Sequence, residues 1–231
     1  MRYSKVEKAV FLSRPNRFVA QVERDGKIEP VHVKNTGRCR ELLLPGATVY
    51  LAKGEGAKRK TEYDLVAVEK KREVGSPLLV NMDSQAPNAV AEEFFRSGKF
   101  FSSNAIVRRE VFFGTSRFDF YVEDGDRRIF LEVKGVTLEE AGEASFPDAP
   151  TQRGVRHLEE LMRAKEEGFE AYVLFVIQMK EMRSFSPNDK THPAFGKALR
   201  HASEQGVTVL AYDCIVKPDE MTLDHPVPVK F

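Results

Sequence analysis

Apolar and polar residues alternate along most of the first 75 residues, the period expected of strands that bury one face. Turn-forming pairs such as Asp25-Gly26 and Pro45-Gly46 separate the alternating runs. The segments that we predict as strands are AVFLSR, RFVAQVER, IEPVHVK, ATVYLAK and YDLVAVEKK. Five short strands joined by such turns predict a small barrel of the OB-like type.

Beyond residue 80 the pattern changes to one that mixes helices and strands. NAVAEEFFRSGKF has its apolar residues on one helical stripe and ends at Gly98, and TQRGVRHLEELMRAKEEG is a second helix with Thr151 as its N-cap. AYVLFVI is apolar on both faces, as in a buried parallel strand. With IVRREVFF, a hairpin, a helix near 193–205 and VTVLAY, this order predicts an α/β domain with a mixed sheet flanked by helices. We place the domain boundary between 1–80 and 81–231.

The hairpin SRFDFYVEDGDRRIFLEVKG, residues 116–135, carries three charged residues that a hairpin does not need. Asp124-Gly125 predicts a two-residue type I′ loop, which places Asp119 opposite Phe130 and diagonal to Glu132. Lys134 follows Glu132 by two positions and points the same way. We therefore expect two carboxylates and one ammonium group on a single face of the hairpin.

An Asp followed by Glu-x-Lys on the next strand is the core of the PD-(D/E)xK nuclease constellation. Two converging carboxylates suit a hard cation such as Mg²⁺, and the lysine assists attack on a phosphate. The alternative is a cross-strand salt bridge with no chemistry. A second Glu-x-Lys at Glu69-Lys70-Lys71 is interpreted as a solvated strand end.

Composition narrows the class of protein. Hydrophobic residues make up 42% of the chain without an apolar run near 18 residues, which predicts no membrane span, and the N-terminus lacks the apolar core of a signal peptide. We expect a cytoplasmic protein. Cys39 and Cys214 are the two cysteines, too few for a disulfide framework or a Cys/His zinc site.

The net charge of +1 conceals an asymmetry between the two parts. Residues 1–80 hold 17 Lys+Arg and 10 Asp+Glu, a net +7, so the remaining residues carry −6. A basic domain suits a polyanion such as nucleic acid. The candidate phosphate-contacting residues lie in two predicted loops: Lys34, Arg38, Arg40, Lys58, Arg59 and Lys60. Phe18 or Tyr50 are candidates for base stacking, and a solvated loop is the alternative for Lys58–Lys60.

Several motifs spread over the chain resemble the sugar fermentation stimulation protein A family. They are PNRF (15–18), NTGR (35–38), SRFDF (116–120), LEVKGVTL (131–138), FPDAPTQRGVRHLEEL (146–161) and RSFSP (183–187). The resemblance implies an N-terminal OB-like domain, a C-terminal PD-(D/E)xK nuclease-like domain and DNA binding without sequence preference.

The resemblance also implies roles for individual positions. Asp119 and Glu132, with the carbonyl of Val133, would bind Mg²⁺ or Mn²⁺; Lys134 would be the catalytic lysine. Glu93, the helix acid, would aid a second ion. Arg117, Arg153 and His157 match the polar pocket of the family. One departure is Gln152, where members often have Glu.

The expected function is therefore DNA binding with a divalent-metal-dependent nuclease site. Two alternatives stay open on the sequence alone. One is a DNA-binding regulator of sugar metabolism that has the nuclease fold without nuclease activity, and the other is an RNA-binding or RNA-processing protein that uses the same site.

Overall fold

The computed structural model describes residues 1–35, 37–54, 59–72 and 75–231. The described part of the N-terminal region forms six strands, with bounds β1 (Val6–Asn16), β2 (Val19–Arg24), β3 (Lys27–Val33), β4 (Thr48–Lys53), β5 (Tyr63–Lys70) and β6 (Leu78–Asn81). None of the helices in these ranges has the length and apolar character needed to cross a membrane.

The first five strands close into a barrel. β2 pairs antiparallel with β1 and β3, β4 pairs antiparallel with β1 and β5, and a short parallel pairing of β3 with β5 at His32↔Asp64 closes the ring. The inward side chains of Val22, Val31, Val49 and Leu65 have no exposed surface. The predicted OB-like barrel is confirmed. β6 extends its sheet by pairing with β5 and leads the chain into the second domain.

The C-terminal region is the predicted mixed sheet with helices on both faces. Its elements are α1 (Ala86–Arg96), β7 (Ile106–Phe113), β8 (Ser116–Asp124), β9 (Arg127–Val136), β10 (Leu138–Glu140), β11 (Glu143–Phe146), α2 (Gln152–Glu166), β12 (Glu170–Ile177), β13 (Ser184–Pro187), α3 (Pro193–Glu204), β14 (Thr208–Lys217) and β15 (Glu220–Pro226). The strand order is β15-β14-β12-β9-β8-β7.

The strand β9 lies where the pairing direction changes. It is antiparallel to β8 and parallel to β12, and β12 is in turn parallel to β14, as the apolar AYVLFVI segment predicted. β10, β11 and β13 form a separate small sheet that the sequence did not reveal. α1 packs on one face of the main sheet through Phe95 and Phe120, whereas α2 covers the other face with Leu158 and Leu161.

The junction between the barrel and the α/β domain is built from buried polar contacts. The side-chain nitrogen of Gln178, at the end of β12, lies 3.1 Å from the carbonyl of Asn81 and 3.1 Å from that of Asp83. Lys34 donates to the buried carboxylate of Asp83 at 2.7 Å. Lys70 donates to the backbone carbonyl of Glu139 at 2.6 Å. The interpretation of Glu69-Lys70-Lys71 as a solvated strand end is therefore wrong for Lys70, which joins the two domains.

The hairpin turn lies one residue later than predicted. The observed pairs are Asp124↔Arg127 and Val122↔Ile129, so the loop is Gly125-Asp126, with Gly125 at φ +63°. Asp124 stays in the strand because its carboxylate accepts from the Ser102 hydroxyl, and glycine takes the first loop position, where positive φ costs it little. The shift brings Asp119 level with Glu132 instead of diagonal to it.

Helix α2 begins with the predicted cap, and the cap can be tested. The Thr151 hydroxyl accepts from the backbone N–H of Gly154 at 3.0 Å. Thr151→Ala should lower the free energy of unfolding by about 1 kcal/mol, because a helix N–H loses its partner, and Thr151→Ser should retain most of it. Urea unfolding of both variants measures this. Equal stability of the alanine and serine variants would contradict the capping role.

Candidate active site

Side chains along β7 and β8 stop alternating between the two faces of the sheet at Glu110 and Asp119, which lie opposite each other. Residues two apart on a strand normally face the same way, yet Phe118 contacts His157 of α2 while Phe120 contacts Phe95 of α1 on the opposite face. Between them lies Asp119. In the β7–β8 register the residue opposite Asp119 is Glu110, which has φ +55°. The backbone is therefore distorted at this row.

Asp119 occupies the place where β8 and β9 separate. The β8–β9 pairing ends at Phe120↔Leu131, and the Asp119 carboxylate takes the next backbone donor, the N–H of Val133, at 2.8 Å. Its other oxygen accepts from the Asn88 amide of α1 at 2.9 Å. Two donors from different elements thus fix the orientation of this carboxylate.

Glu132 is a buried charge on β9 with both of its donors on one oxygen. The Lys134 ammonium lies 2.6 Å from Oε1, and Nδ1 of His157 contacts the same atom. The residue is 3% exposed, and Oε2 is buried with no hydrogen-bond partner among the described residues. Burial alone would raise the pKa of Glu132, but the hydrogen bonds from His157 and Lys134 lower it.

Asp119 has the opposite electrostatic balance. Its burial, and then the neighbouring charge of Glu132, raise the pKa of its carboxyl group against the two hydrogen bonds that favour ionisation. Two carboxylates of which one is costly to ionise form a site that a cation would stabilise, because the cation removes the repulsion.

His157 is held as one tautomer by its neighbours. Arg153 donates from Nε to Nε2 of the ring at 3.2 Å. A neutral imidazole that accepts at Nε2 carries its hydrogen on Nδ1, so Nδ1 donates to Glu132. Arg153 therefore positions the histidine that orients the glutamate.

Gly135, directly after the lysine, is needed for close packing. A Cβ at this position would lie 2.6 Å from Oε1 of Gln178 and 2.7 Å from Pro87. Since Pro87 lies in the first turn of α1 and Gln178 holds the domain junction, the glycine lets both approach the end of β9.

The carboxylate donors present here fit a divalent metal ion. The unpartnered Oε2 of Glu132 is an orphaned buried acceptor, and oxygen ligands are those that Mg²⁺ and Mn²⁺ prefer. Asp119 supplies the second carboxylate, and Val133, the residue after Glu132 on β9, donates its N–H to Asp119.

Two residues singled out from the sequence lie apart from this cluster. Glu93 is exposed and pairs with the amino group of Met1 at 2.5 Å. The α1 residue that contacts Asp119 is Asn88 instead. Gln152 is exposed, with its amide nitrogen 3.4 Å from the His192 ring. The sequence motif predicted an acid on this helix, so Asn88 was not recognised. Its position directly after Pro87, at the start of the helix, was the available signal.

Arg117, Arg153 and His157, the residues that match the polar pocket of the family, lie close together. They line a groove of about 460 Å³ beside the cluster, together with Arg156 of α2 and Phe112 of β7. We call this the arginine groove.

The predicted basic residues of the barrel have different surroundings. Lys34 pairs with Asp83, and Arg59 pairs with Asp64 of β5. Lys60 is exposed. Lys58 lies outside the described residues. Tyr50 donates to Glu69 at 2.6 Å and is half-buried, whereas Phe18 is 52% exposed, so Phe18 is the better placed of the two for stacking.

Arg38 and Arg40 are exposed and share a second groove, of about 330 Å³, with two arginines that the sequence analysis missed, Arg14 and Arg17. Arg14 organises this barrel groove. Its guanidinium donates to four backbone carbonyls, those of Arg17, Asn35, Gly37 and Arg38, at 2.6 to 3.0 Å. The signal for both arginines was present in the PNRF motif and the residues before it.

Family models match both domains of the chain. The model of the sugar fermentation stimulation protein RE domain matches residues 85–220, and that of the SfsA N-terminal OB domain matches residues 12–76. This chain belongs to the sugar fermentation stimulation protein family. The resemblance predicted from the sequence motifs is confirmed.

Relatives in the family match along the full length. A sugar fermentation stimulation protein homolog of Desulfitobacterium hafniense (strain DSM 10664 / DCB-2) is 54% identical over 230 residues, covering 100% of this chain and 98% of the relative. A homolog of Ruminiclostridium cellulolyticum is 49% identical and matches over 100% of both chains. The solved structure of Pyrococcus furiosus SfsA in complex with Ca²⁺ is 28% identical in sequence and superposes with a TM-score of 0.85. The match covers 100% of this chain and 98% of that structure's chain.

The two acids of the site should affect stability in opposite directions when metal is absent. Because the folded-state pKa of Asp119 is raised, its ionisation lowers stability as the pH rises above the usual aspartate range. The folded-state pKa of Glu132 is lowered, so its charge adds stability above the usual glutamate range, and this stability is lost as the pH falls through the folded value.

In EDTA we expect the change in unfolding free energy caused by Asp119→Asn to become more favourable from pH 4 to pH 7, because the amide cannot ionise. At pH 4 the variant should be less stable than the wild type, because one of the two donors to Asp119 loses its acceptor. Glu132→Gln should lower the free energy of unfolding at pH 7 by about 2 kcal/mol, because two buried donors lose their charged partner. Urea titrations at both pH values measure these changes. The change caused by Glu132→Gln should become less favourable from pH 4 to pH 7, so the same pH trend in both variants would contradict this electrostatic assignment.

Proposed function

We propose that this protein binds DNA in the cytoplasm without sequence preference and hydrolyses its phosphodiester bonds with Mg²⁺ or Mn²⁺. The observation that carries the proposal is the site at the separating ends of β8 and β9. Asp119 binds the N–H of Val133, the residue after Glu132, and Lys134 binds Glu132, one buried oxygen of which lacks a partner among the described residues.

Asp119, Glu132 and the carbonyl of Val133 would hold the metal ion. Such an ion lowers the pKa of a bound water and offsets charge on the phosphate. The chain supplies the rest. Lys134, 2.6 Å from Glu132, is close enough to contact a phosphate oxygen or the attacking water at the same site. His157 donates to Glu132 and leaves its second oxygen for the cation. Glu93, which pairs with the N-terminus, is not part of the proposed site.

The barrel supports the DNA-binding part of the proposal. Its arginine-lined groove and the α/β domain share one segment, because Gly37 lines both the barrel groove and a cleft of about 170 Å³ that reaches Gly135. A phosphate backbone bound to Arg38 and Arg40 would therefore continue toward the end of β9. Contacts to phosphates carry no sequence information.

The first test concerns salt dependence of binding. The double variant Arg38→Glu and Arg40→Glu should weaken binding of all duplex sequences alike. It should also flatten the slope of log K against log salt by about 0.9 for each phosphate that the variant no longer neutralises. Fluorescence anisotropy with a labelled duplex at several salt concentrations measures this.

Lys27→Glu is the matched control. Lys27 is exposed at the turn between β2 and β3, and the Arg24↔Lys27 pair lies at the opposite end of that hairpin from the barrel groove. Lys27→Glu changes the net charge by the same amount as each of the two arginine substitutions. It should leave the slope of log K against log salt unchanged. Equal slopes for Lys27→Glu and the double variant would argue against a specific phosphate path at Arg38 and Arg40.

The second test separates metal binding from catalysis. Asp119→Asn and Glu132→Gln should abolish cleavage and weaken Mg²⁺ or Mn²⁺ binding measured by calorimetry. Lys134→Ala should keep metal binding while cleavage falls by roughly 10²-fold or more, since one stabiliser of transition-state charge is removed. Plasmid, linear duplex, single-stranded DNA and RNA serve as substrates.

The outcomes distinguish the rival functions. A wild-type protein that binds metal and DNA but cuts none of the four substrates would be a DNA-binding regulator. Preferential cleavage of RNA would assign the same site to RNA processing. Absence of metal binding at millimolar concentration would reduce the cluster to a salt bridge.

A further inference from the structure

We propose that Phe112 stacks on an unpaired base of the DNA strand that is bound at the active site, so that the arginine groove receives single-stranded rather than fully paired DNA. This inference rests on the proposed function, since it names the form of the substrate. It adds a residue, Phe112, that neither the motifs nor the metal cluster indicate.

Phe112 is exposed between two half-buried neighbours on β7. It is 69% exposed, more than any other large hydrophobic residue in the described ranges. Val111 and Phe113, on either side of it, pack into the core, and the Phe113 ring lies 5.2 Å from Phe130 and 5.9 Å from Phe169. The backbone at Phe112 is therefore anchored, and the exposed ring is presented on a rigid strand.

Cationic side chains surround the exposed ring. Arg117 is the cross-strand partner of Phe112 in the β7–β8 pairing, and Arg153 and Arg156 reach the same groove from α2. Arg117 has a single ion pair, 3.4 Å from Glu110, and Arg156 has no salt bridge within the described part of the chain. Two acids also line the groove: Glu160, which is bound to Arg163 at 2.8 Å, and Glu159. The balance favours an anion.

The groove leads directly to the proposed catalytic cluster. His157 lines it and contacts Glu132 through Nδ1. A nucleotide whose phosphate lies at Glu132 and Lys134 would thus have its neighbours in the arginine groove. An aromatic ring among arginines is the composition of surfaces that bind single strands, where bases stack on the ring and the backbone follows the positive charge. In a paired duplex both faces of each base are already stacked, so Phe112 would have no base to contact.

The absence of tryptophan from the chain gives a direct test. Phe112→Trp introduces the sole tryptophan, whose emission should be quenched when a single-stranded oligothymidylate is added in EDTA. Ile106→Trp is the matched control, because Ile106 lies at the other end of the same strand and is 51% exposed. Its emission should not change. EDTA prevents cleavage, so the change in tryptophan emission does not depend on nuclease activity.

Affinity measurements extend the test to the substrate form. On a duplex with a single-stranded overhang, Phe112→Ala should weaken binding by roughly 10-fold, and Phe112→Tyr should retain wild-type affinity. On a blunt duplex the alanine variant should bind like the wild type. An overhang built from abasic nucleotides, which keeps the phosphates but lacks bases, should remove the difference between Phe112→Ala and wild type.

The results separate this inference from the proposed function. If the wild type binds no DNA at all, the proposed function fails. If the wild type binds the overhang but Phe112→Ala binds equally well and the Phe112→Trp emission is not quenched, the proposed function stands and only the stacking role is overturned. A Phe112-dependent preference for oligouridylate over oligothymidylate would also overturn it, because the strand would be RNA.

Discussion

A carboxylate that is 3% exposed keeps its charge only where donors compensate for the missing water, and Glu132 meets this condition on a central strand of the main sheet. Lys134 comes from the same strand and His157 from α2, and Arg153 sets the tautomer of that histidine. The placement of α2 against the sheet therefore bears directly on the charge of Glu132. Both donors contact one oxygen, which is why the other is available to a cation.

The second carboxylate depends on a defect in the sheet. If β8 had kept its alternation, Phe118 and Phe120 would face the same side, and the backbone N–H of Val133 would pair with β8 backbone. Instead the strands part at Asp119, and its side chain accepts that N–H. The positive φ of Glu110 on the neighbouring strand belongs to the same distortion. Distorted backbone of this kind costs energy and persists only when surrounding contacts hold it, here the aromatic packing on both faces.

The barrel and the α/β domain act as one structure at this site. Gln178 ties the end of β12 to Asn81 and Asp83, and Lys34 completes the contact from the barrel side. These bonds hold the loop around Gly37 against the end of β9. The proposed DNA path from the barrel groove to the end of β9 crosses this junction, where Gly37 and Gly135 line one cleft. A single domain would carry either the Asp119–Glu132 carboxylate cluster or the basic barrel surface, but not both.

Local patterns in the sequence were sufficient to predict the barrel strands, the buried strand β12, the cap at Thr151 and the placement of Asp119 beside Glu-x-Lys. Alternation, capping and motif spacing depend on residues that are near one another in the chain. The hairpin loop was misplaced by one residue because the bond from Ser102 to Asp124, which holds Asp124 in its strand, comes from a distant segment. Asn88, Arg14 and Phe112 acquire part of their surroundings from segments 20 or more residues away. Glu93 carries the residue type expected of a site but lies beside the N-terminus. The packing of α1 and α2 on opposite faces of the sheet decided which side chains converge on Glu132 and which of its oxygens has no donor. Only that packing brings side chains distant in the chain within hydrogen-bonding distance.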